Sequence, residues 1–290
     1  MNALLAAHLK AATAGAVDPA ISAMAQHVLQ QHTGVKAIIA YGSTLRDATP
    51  KDSLIDLYIL TADFAGVSNN QIARLGCRLV PPNVYYAECK VADQIYRAKY
   101  AVMPLSQFSR HVAKANTNPY FWARFAQPAK LVWLADAATR DAVVESLVTA
   151  ATTAYAHAQS TSVGPGNFPA VQWTTLFQNT YRTELRPESI DRARMIVEAD
   201  QQHYRIISQA LADEPTIKTN WPLEHWRGKT LSVLRLIKAA FTFQGGADYI
   251  AWKIKRHAGV DIQVTDFQRR HPLLAAITLL PQLIRKGAFR

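Results

Sequence analysis

The sequence predicts an α+β protein: a mixed sheet with flanking helices, then an all-helical stretch, then a basic amphipathic carboxyl end. Three observations predict it. Short, nearly continuous apolar or β-branched runs occur only in the front part of the chain, at 36–41, 54–61, 83–90 and 95–103. From residue 105 onward the apolar residues recur at helical spacing instead. A turn-rich break, STSVGPGNFPA at 160–170, separates the two regimes.

Taken in order, residues 1–32 read as one or two Ala-rich helices, with Asp18 and Pro19 as the cap and first-turn pair of the second. KAIIAY at 36–41 runs into Gly42 and reads as a buried strand, and LIDLYILT at 54–61 as another. Residues 69–77 look helical. NVYYAECK at 83–90 and IYRAKYAVM at 95–103 carry the Tyr, Val and Ile of strands. Helices are expected at 105–115, 119–126 and 137–158, with a short apolar stretch, LVWL at 131–134, between the last two. Beyond the break they are expected at 171–183, 187–212, 226–243 and 245–258. This divides the chain into a front domain, 1–160, a helical domain, 161–225, and a basic region, 226–290.

Composition narrows the function classes. At 49% hydrophobic and 18% charged, the chain is not a disordered one. Two cysteines, Cys77 and Cys89, make neither a disulfide framework nor a four-cysteine zinc site, so a reducing, cytoplasmic setting is expected. No apolar run reaches the roughly 18 residues of a spanning helix, and the amino terminus lacks the charged region of a secretory signal. The net charge is +11, and the last seventy residues hold 12 of the 32 bases but 4 of the 21 acids. Such an end suits a polyanion: nucleic acid, anionic membrane or polyphosphate.

The segment that carries chemistry is AYGSTLRDATPKDSLIDLYIL, Ala40 to Leu60. A strand runs into Gly42-Ser43, and a second strand returns bearing Asp56. Gly42 lets the backbone approach a phosphate, and Ser43 with the amides after it can donate hydrogen bonds to a triphosphate. Asp56, on the adjacent strand, can hold Mg²⁺ against the same phosphates. An ordinary turn with a capping acid is the plainer alternative.

This pattern resembles the core of the nucleotidyltransferase superfamily, where Gly-Ser is usually followed about ten residues on by Asp-x-Asp. Here Leu54 stands where the first carboxylate of that pair would be. Asp52 does not replace it, because on an extended strand it lies roughly 13 Å from Asp56. A partner acid must come from elsewhere, and Glu88, on the next expected strand, is within reach if those strands pair.

With a single Asp after the turn, the sequence resembles the mitochondrial-type phosphatidate cytidylyltransferases, the translocator assembly and maintenance family. The matching residues are Tyr41-Gly42-Ser43, Ile55-Asp56-Leu57, Val84-Tyr85-Tyr86, Lys99-Tyr100-Ala101-Val102 and Trp122-Ala123-Arg124-Phe125-Ala126-Gln127-Pro128. Their order and spacing agree over about ninety residues. Past the break, Thr180-Tyr181-Arg182-Thr183-Glu184-Leu185-Arg186 resembles the family's Ser-Tyr-x-Gly-Asp-x-Arg. Glu184 keeps the carboxylate there and is a second candidate for the metal partner. Thr183 replaces the family's glycine, and the Asn-Pro after the Val-Tyr-Phe strand is absent, as in a divergent bacterial-type relative.

The resemblance implies a nucleotidyltransferase-type mixed sheet and a Mg²⁺-dependent transfer from CTP to phosphatidate, giving CDP-diacylglycerol and pyrophosphate. Tyr41, Gly42, Ser43 and Arg124 would bind the nucleotide. Asp56, Glu184 and Lys99 would be catalytic, and Asp56 with Glu88 or Glu184 would hold the metal. Lys99 and Arg124 suit a triphosphate as a point charge and a bidentate fork. Arg182 and Arg186, four apart on one expected helix face, suit the acceptor's phosphate, or else pair with Glu184 and Glu188. Partners are then CTP, a lipid phosphate and an anionic membrane surface, with nucleic acid not expected. Transfer to another phosphorylated lipid or soluble acceptor stays open, as does a silent binding module.

The carboxyl region adds a membrane expectation. Leu231, Leu234, Ile237 and Phe241 share one helical face, and Tyr249 and Trp252 stand beside Lys253, Lys255 and Arg256. HPLLAAITLLPQLIRKGAFR closes the chain with Arg285, Lys286 and Arg290 behind an apolar run. Leucines and aromatics beside bases suit a helix lying on anionic lipid, a peripheral attachment. Core-packing helices with solvated charges are the alternative.

Overall fold

The computed structural model describes residues 2–45, 54–161, 169–185, 190–242 and 265–266. Two helices, α1 (Ala3–Thr13) and α2 (Pro19–Leu29), lead into the hairpin of β1 (Val35–Tyr41) and β2 (Leu54–Thr61). Then come α3 (Gln71–Leu79), β3 (Asn83–Val91), β4 (Gln94–Pro104), α4 (Leu105–Val112), α5 (Pro119–Phe125), β5 (Ala129–Leu134) and the long α6 (Ala137–Ala158). The back of the chain supplies α7 (Ala170–Tyr181), α8 (Ile190–Ala199), α9 (Gln201–Ala210) and α10 (Trp221–Thr242).

Most helices start where an oxygen-bearing side chain meets an orphan backbone amide. Asn2, Asp18, Asn70, Asn118, Asp136 and Asp200 each accept from amides of the helix they precede. Asp200 corrects one expectation. The helical spacing predicts a single helix over 187–212, but the Asp200 carboxylate caps His203 N at 3.0 Å and divides it into α8 and α9. The expected helix at 245–258 and the tail lie outside the described residues.

The five strands form one sheet in the order β3-β4-β2-β1-β5. β1 pairs antiparallel with both β2 and β5, β3 pairs antiparallel with β4, and β2 pairs parallel with β4. The LVWL stretch is thus a strand, β5. Registers matter more than the order: Tyr41 faces Asp56, Asp56 faces Lys99, and Lys99 faces Tyr86. One row across four strands therefore carries the motif residues. α2 packs across the sheet on β1, β3, β4 and β5, while α4 and α6 pack on other parts of it.

One apolar core runs from Leu5 and Ile38 through Trp122 and Trp173 to Ile207, joining the sheet to α7 and α9. Its local joints fix the site. Phe125 of α5 meets Tyr58 of β2 and Phe108 of α4 edge-on, at ring distances of 4.9 and 4.7 Å. Burying a ring of that size contributes about 1.5–3 kcal/mol, and it holds the neighbouring Arg124 over the sheet row. Among the described residues, no helix is long and apolar enough to cross a membrane.

Candidate active site

The last residue of β1 is Tyr41, and the chain then turns sharply at Gly42, whose φ is +85°. Ser43–Leu45 follow as a single 3-10 turn. Glycine is required here for two reasons. Left-handed backbone is strained for residues with a Cβ, and a Cβ at this position would stand 2.9 Å from Asp56 Oδ2. The bare Gly42 backbone is what lets the Asp56 carboxylate sit against the turn. Across the parallel ladder, Lys99 is the residue beside Asp56.

Arg124 enters from α5. Its Nη1 donates to Tyr120 O at 3.0 Å, and its Nη2 donates to Glu184 Oε1 at 3.4 Å. The guanidinium lies 4.4 Å over the Tyr120 ring and 5.8 Å over that of Tyr41. Burial opposes its charge, but Tyr120, Tyr41 and Glu184 outweigh that and hold its pKa well above the ordinary value. Burial and the nearby Asp56 charge raise the Tyr41 phenol, so it stays protonated. Glu184 sits just past α7, where turns from Thr180 and Tyr181 fold the chain back over the site.

These groups line one cavity of about 240 Å³, which holds Tyr41, Gly42, Ser43, Asp56, Lys99, Arg124 and Glu184. Seven of the ten residues singled out from sequence are therefore brought together. Glu88 is not. The expectation that its strand pairs with that of Asp56 is corrected by the sheet order, because β4 lies between them. Glu88 instead accepts from Arg97 Nε at 3.0 Å and from the Tyr86 hydroxyl at 2.6 Å. Arg182 is exposed at the end of α7 and does not line the cavity. Its charge instead helps lower the pKa of His225, behind the larger effect of burial. Arg186 and Asp52 lie outside the described residues.

Sequence reasoning missed Arg192, which reaches the cavity from α8 with Ile196 one turn on. It also missed Tyr120, and it gave no role to Gln127, which the matched motif contains and which lines the cavity beyond Arg124. Lys99, Arg124 and Arg192 outnumber Asp56 and Glu184, a balance suited to a polyphosphate that brings its own cation. The residues fit Mg²⁺ of that kind. Asp56 Oδ2 is presented against an open backbone cradle, and Glu184 supplies a second hard oxygen donor in the same cavity. Among the described residues no three His, Cys, Asp or Glu cluster as a closed metal cage. A larger groove of about 580 Å³ lies between α7, α8 and α9 but holds none of the motif residues, so chemistry and not size selects the site.

The chain matches no protein-family profile and no curated protein. Among solved structures it is similar to a nucleotidyltransferase-like protein from Exiguobacterium sibiricum 255-15, at 16% identity over 92% of this chain and 91% of that one, with a TM-score of 0.27. So distant a likeness carries no weight for activity.

Proposed function

We propose that the protein is a metal-dependent nucleotidyltransferase that converts a lipid phosphate, phosphatidate in the first instance, to CDP-diacylglycerol using CTP. The carrying observation is the cavity itself: a Gly-Ser turn, Asp56, Lys99 and Arg124 meet Glu184 and Arg192 from the helical half. An acceptor phosphate oxygen attacks the α-phosphorus, the bond to the bridging oxygen of the β-phosphate breaks, and pyrophosphate leaves with that electron pair. The acceptor is already an anion, so no strong general base is needed.

The chain's own residues do the positioning. Ser43 and the turn amides hold phosphate oxygens, while Lys99, Arg124 and Arg192 neutralise the charge that moves onto the leaving group. Asp56, with Glu184, would hold Mg²⁺, which when bound neutralises the phosphates and orders them for in-line attack. Arg182 and Arg186 remain proposed contacts for the acceptor, from outside the cavity. Peripheral attachment to an anionic membrane is part of the proposal, supported by exposed apolar residues on α10, Trp226, Leu234 and Ile237 among them.

The test is metal-dependent pyrophosphate release from CTP, UTP and ATP in turn, with phosphatidate vesicles as acceptor. CTP is the expected substrate, with UTP rejected because the wrong base leaves buried groups unpaired. Asp56→Asn should abolish turnover in a folded protein. A preference for ATP or UTP would remove the cytidylyl assignment. No release from any triphosphate would favour a binding module.

A further inference from the structure

The sequence assigns the start of α10 to a membrane-contacting region, yet one side of this helix packs behind segments that line the cavity, without lining it itself. His225 Nε2 lies 3.1 Å from Asn179 O, near the end of α7. Gly228 passes so close to Thr183 that a Cβ would stand 2.6 Å from its carbonyl oxygen and from its Cβ, one residue before Glu184. Arg227 donates to Thr117 Oγ1 at 3.2 Å, just before α5. Arg235 lies 3.7 Å over the Tyr120 ring and donates to Pro81 O at 3.2 Å. Lys238 completes the anchor on the carbonyls of Val80 and Pro82.

Two guanidiniums thus lie over the Tyr120 ring, Arg124 at 4.4 Å and Arg235 at 3.7 Å. Each cation is drawn to the ring's electron-rich face. The ring transmits position: Arg235, tied to the backbone at Pro81, stops it swinging away from Arg124.

We propose that α10 braces the active site from behind, and that Arg235 is a positioning residue that sets Arg124 through the Tyr120 ring. This rests on the nucleotide reading of the cavity. It adds that the helix bracing the phosphate-binding arginine is the one whose outer side carries the exposed apolar residues.

The experiment uses the full-length chain and its Arg235→Gln and Arg235→Lys variants. Binding of Mg²⁺-CTP and of inorganic tripolyphosphate is measured by calorimetry, with a thermal melt to confirm folding. Arg235→Gln should weaken both ligands about tenfold, between the strengths of an exposed and a fully desolvated cation–π contact. Arg235→Lys, which keeps a cation over the ring, should restore most of that loss. Because Arg235 acts through Arg124, adding Arg235→Gln to Arg124→Gln should cost nothing further. Fully additive losses, or normal binding by Arg235→Gln, overturn the proposal.

A ligand-free measurement separates this from failure of the nucleotide reading. Phenylglyoxal modification of Arg124, followed by mass spectrometry, should run severalfold faster in Arg235→Gln while exposed Arg182 is unchanged. An unchanged Arg124 rate overturns the positioning role whether or not the protein binds CTP. If wild type binds neither ligand but Arg124 reactivity rises, the brace stands and the nucleotide reading falls.

Discussion

Replacing Gly42 with alanine tests how the turn and the carboxylate depend on one another. Two costs follow from the geometry. At φ +85° an alanine adopts left-handed backbone, worth about 1–2 kcal/mol. In a chain of this size that should lower the melting temperature by about 2–3 °C. The second cost falls on function. The new Cβ would meet Asp56 Oδ2 at 2.9 Å, so the carboxylate must move by about half an ångström to regain ordinary contact. Since misplacement by 1 Å can cost about a hundredfold, a loss of about tenfold in Mg²⁺-CTP turnover is expected. Melting by calorimetry and turnover by pyrophosphate release give the two numbers. A cycle with Asp56→Ala isolates the contact. Once the carboxylate is gone, adding Gly42→Ala should still lower the melting temperature but should leave the residual nucleotide affinity unchanged. An equal affinity loss in both backgrounds would refute the coupling and place Gly42's role in direct contact with phosphate. An unchanged melting temperature would refute the backbone argument.

Three other perturbations give distinct outcomes. Glu184→Gln should cut metal-dependent turnover by about a hundredfold and cost up to about 1 kcal/mol through its half-exposed pair with Arg124. Glu88→Gln, whose partners are Arg97 and Tyr86, should stay within about twofold of wild type, and parity of the two variants would overturn the choice of partner acid. Burial holds His157 and His203 at about 4, so the unfolded chain takes up protons near 6.5 that the folded chain refuses. Stability should therefore fall as pH drops from about 6.5 to about 4, by on the order of 3 kcal/mol for each such histidine. Urea titrations at stepped pH check this, and His157→Gln should lower the proton uptake on unfolding at pH 5 by about one. Deleting 272–290, outside the described residues, should weaken binding to anionic vesicles by about 1 kcal/mol for each base lost. It should also reduce activity on bilayer phosphatidate more than on a short-chain analogue, and equal loss on both would indicate a structural tail.

How much of this was legible in the chain depended on the range of the signal. β1 and β2 read clearly because each is a near-continuous apolar run, and α2 because Asp18-Pro19 marks its start. β5 did not, since it is an edge strand whose residues after Ala129 are only half buried. The division of α8 from α9 was hidden because Asp200 interrupts the backbone without interrupting the helical spacing. Glu88 was misplaced for a topological reason. Consecutive strands pair in most sheets, but here the chain crosses over through α3, and β4 inserts parallel to β2. Arg192 had no local signal at all, because its place in the cavity depends on how α8 docks after the turn that carries Glu184.

The parallel pairing of β2 with β4 also bears on when the cavity forms. Tyr41, Gly42 and Asp56 belong to one hairpin, whose strands meet after a short loop closure. Lys99 joins only when the crossover through α3 and β3 is complete, and the Arg124–Glu184 contact closes a span of 60 residues. Closure over longer spans is slower, because chain entropy must be lost before the distant contact compensates for it. In refolding from urea, secondary structure should therefore recover ahead of nucleotide affinity. A fluorescent CTP analogue would then act as a clock for the last stage of folding, lagging the far-ultraviolet signal by the time the helical half takes to close over the hairpin.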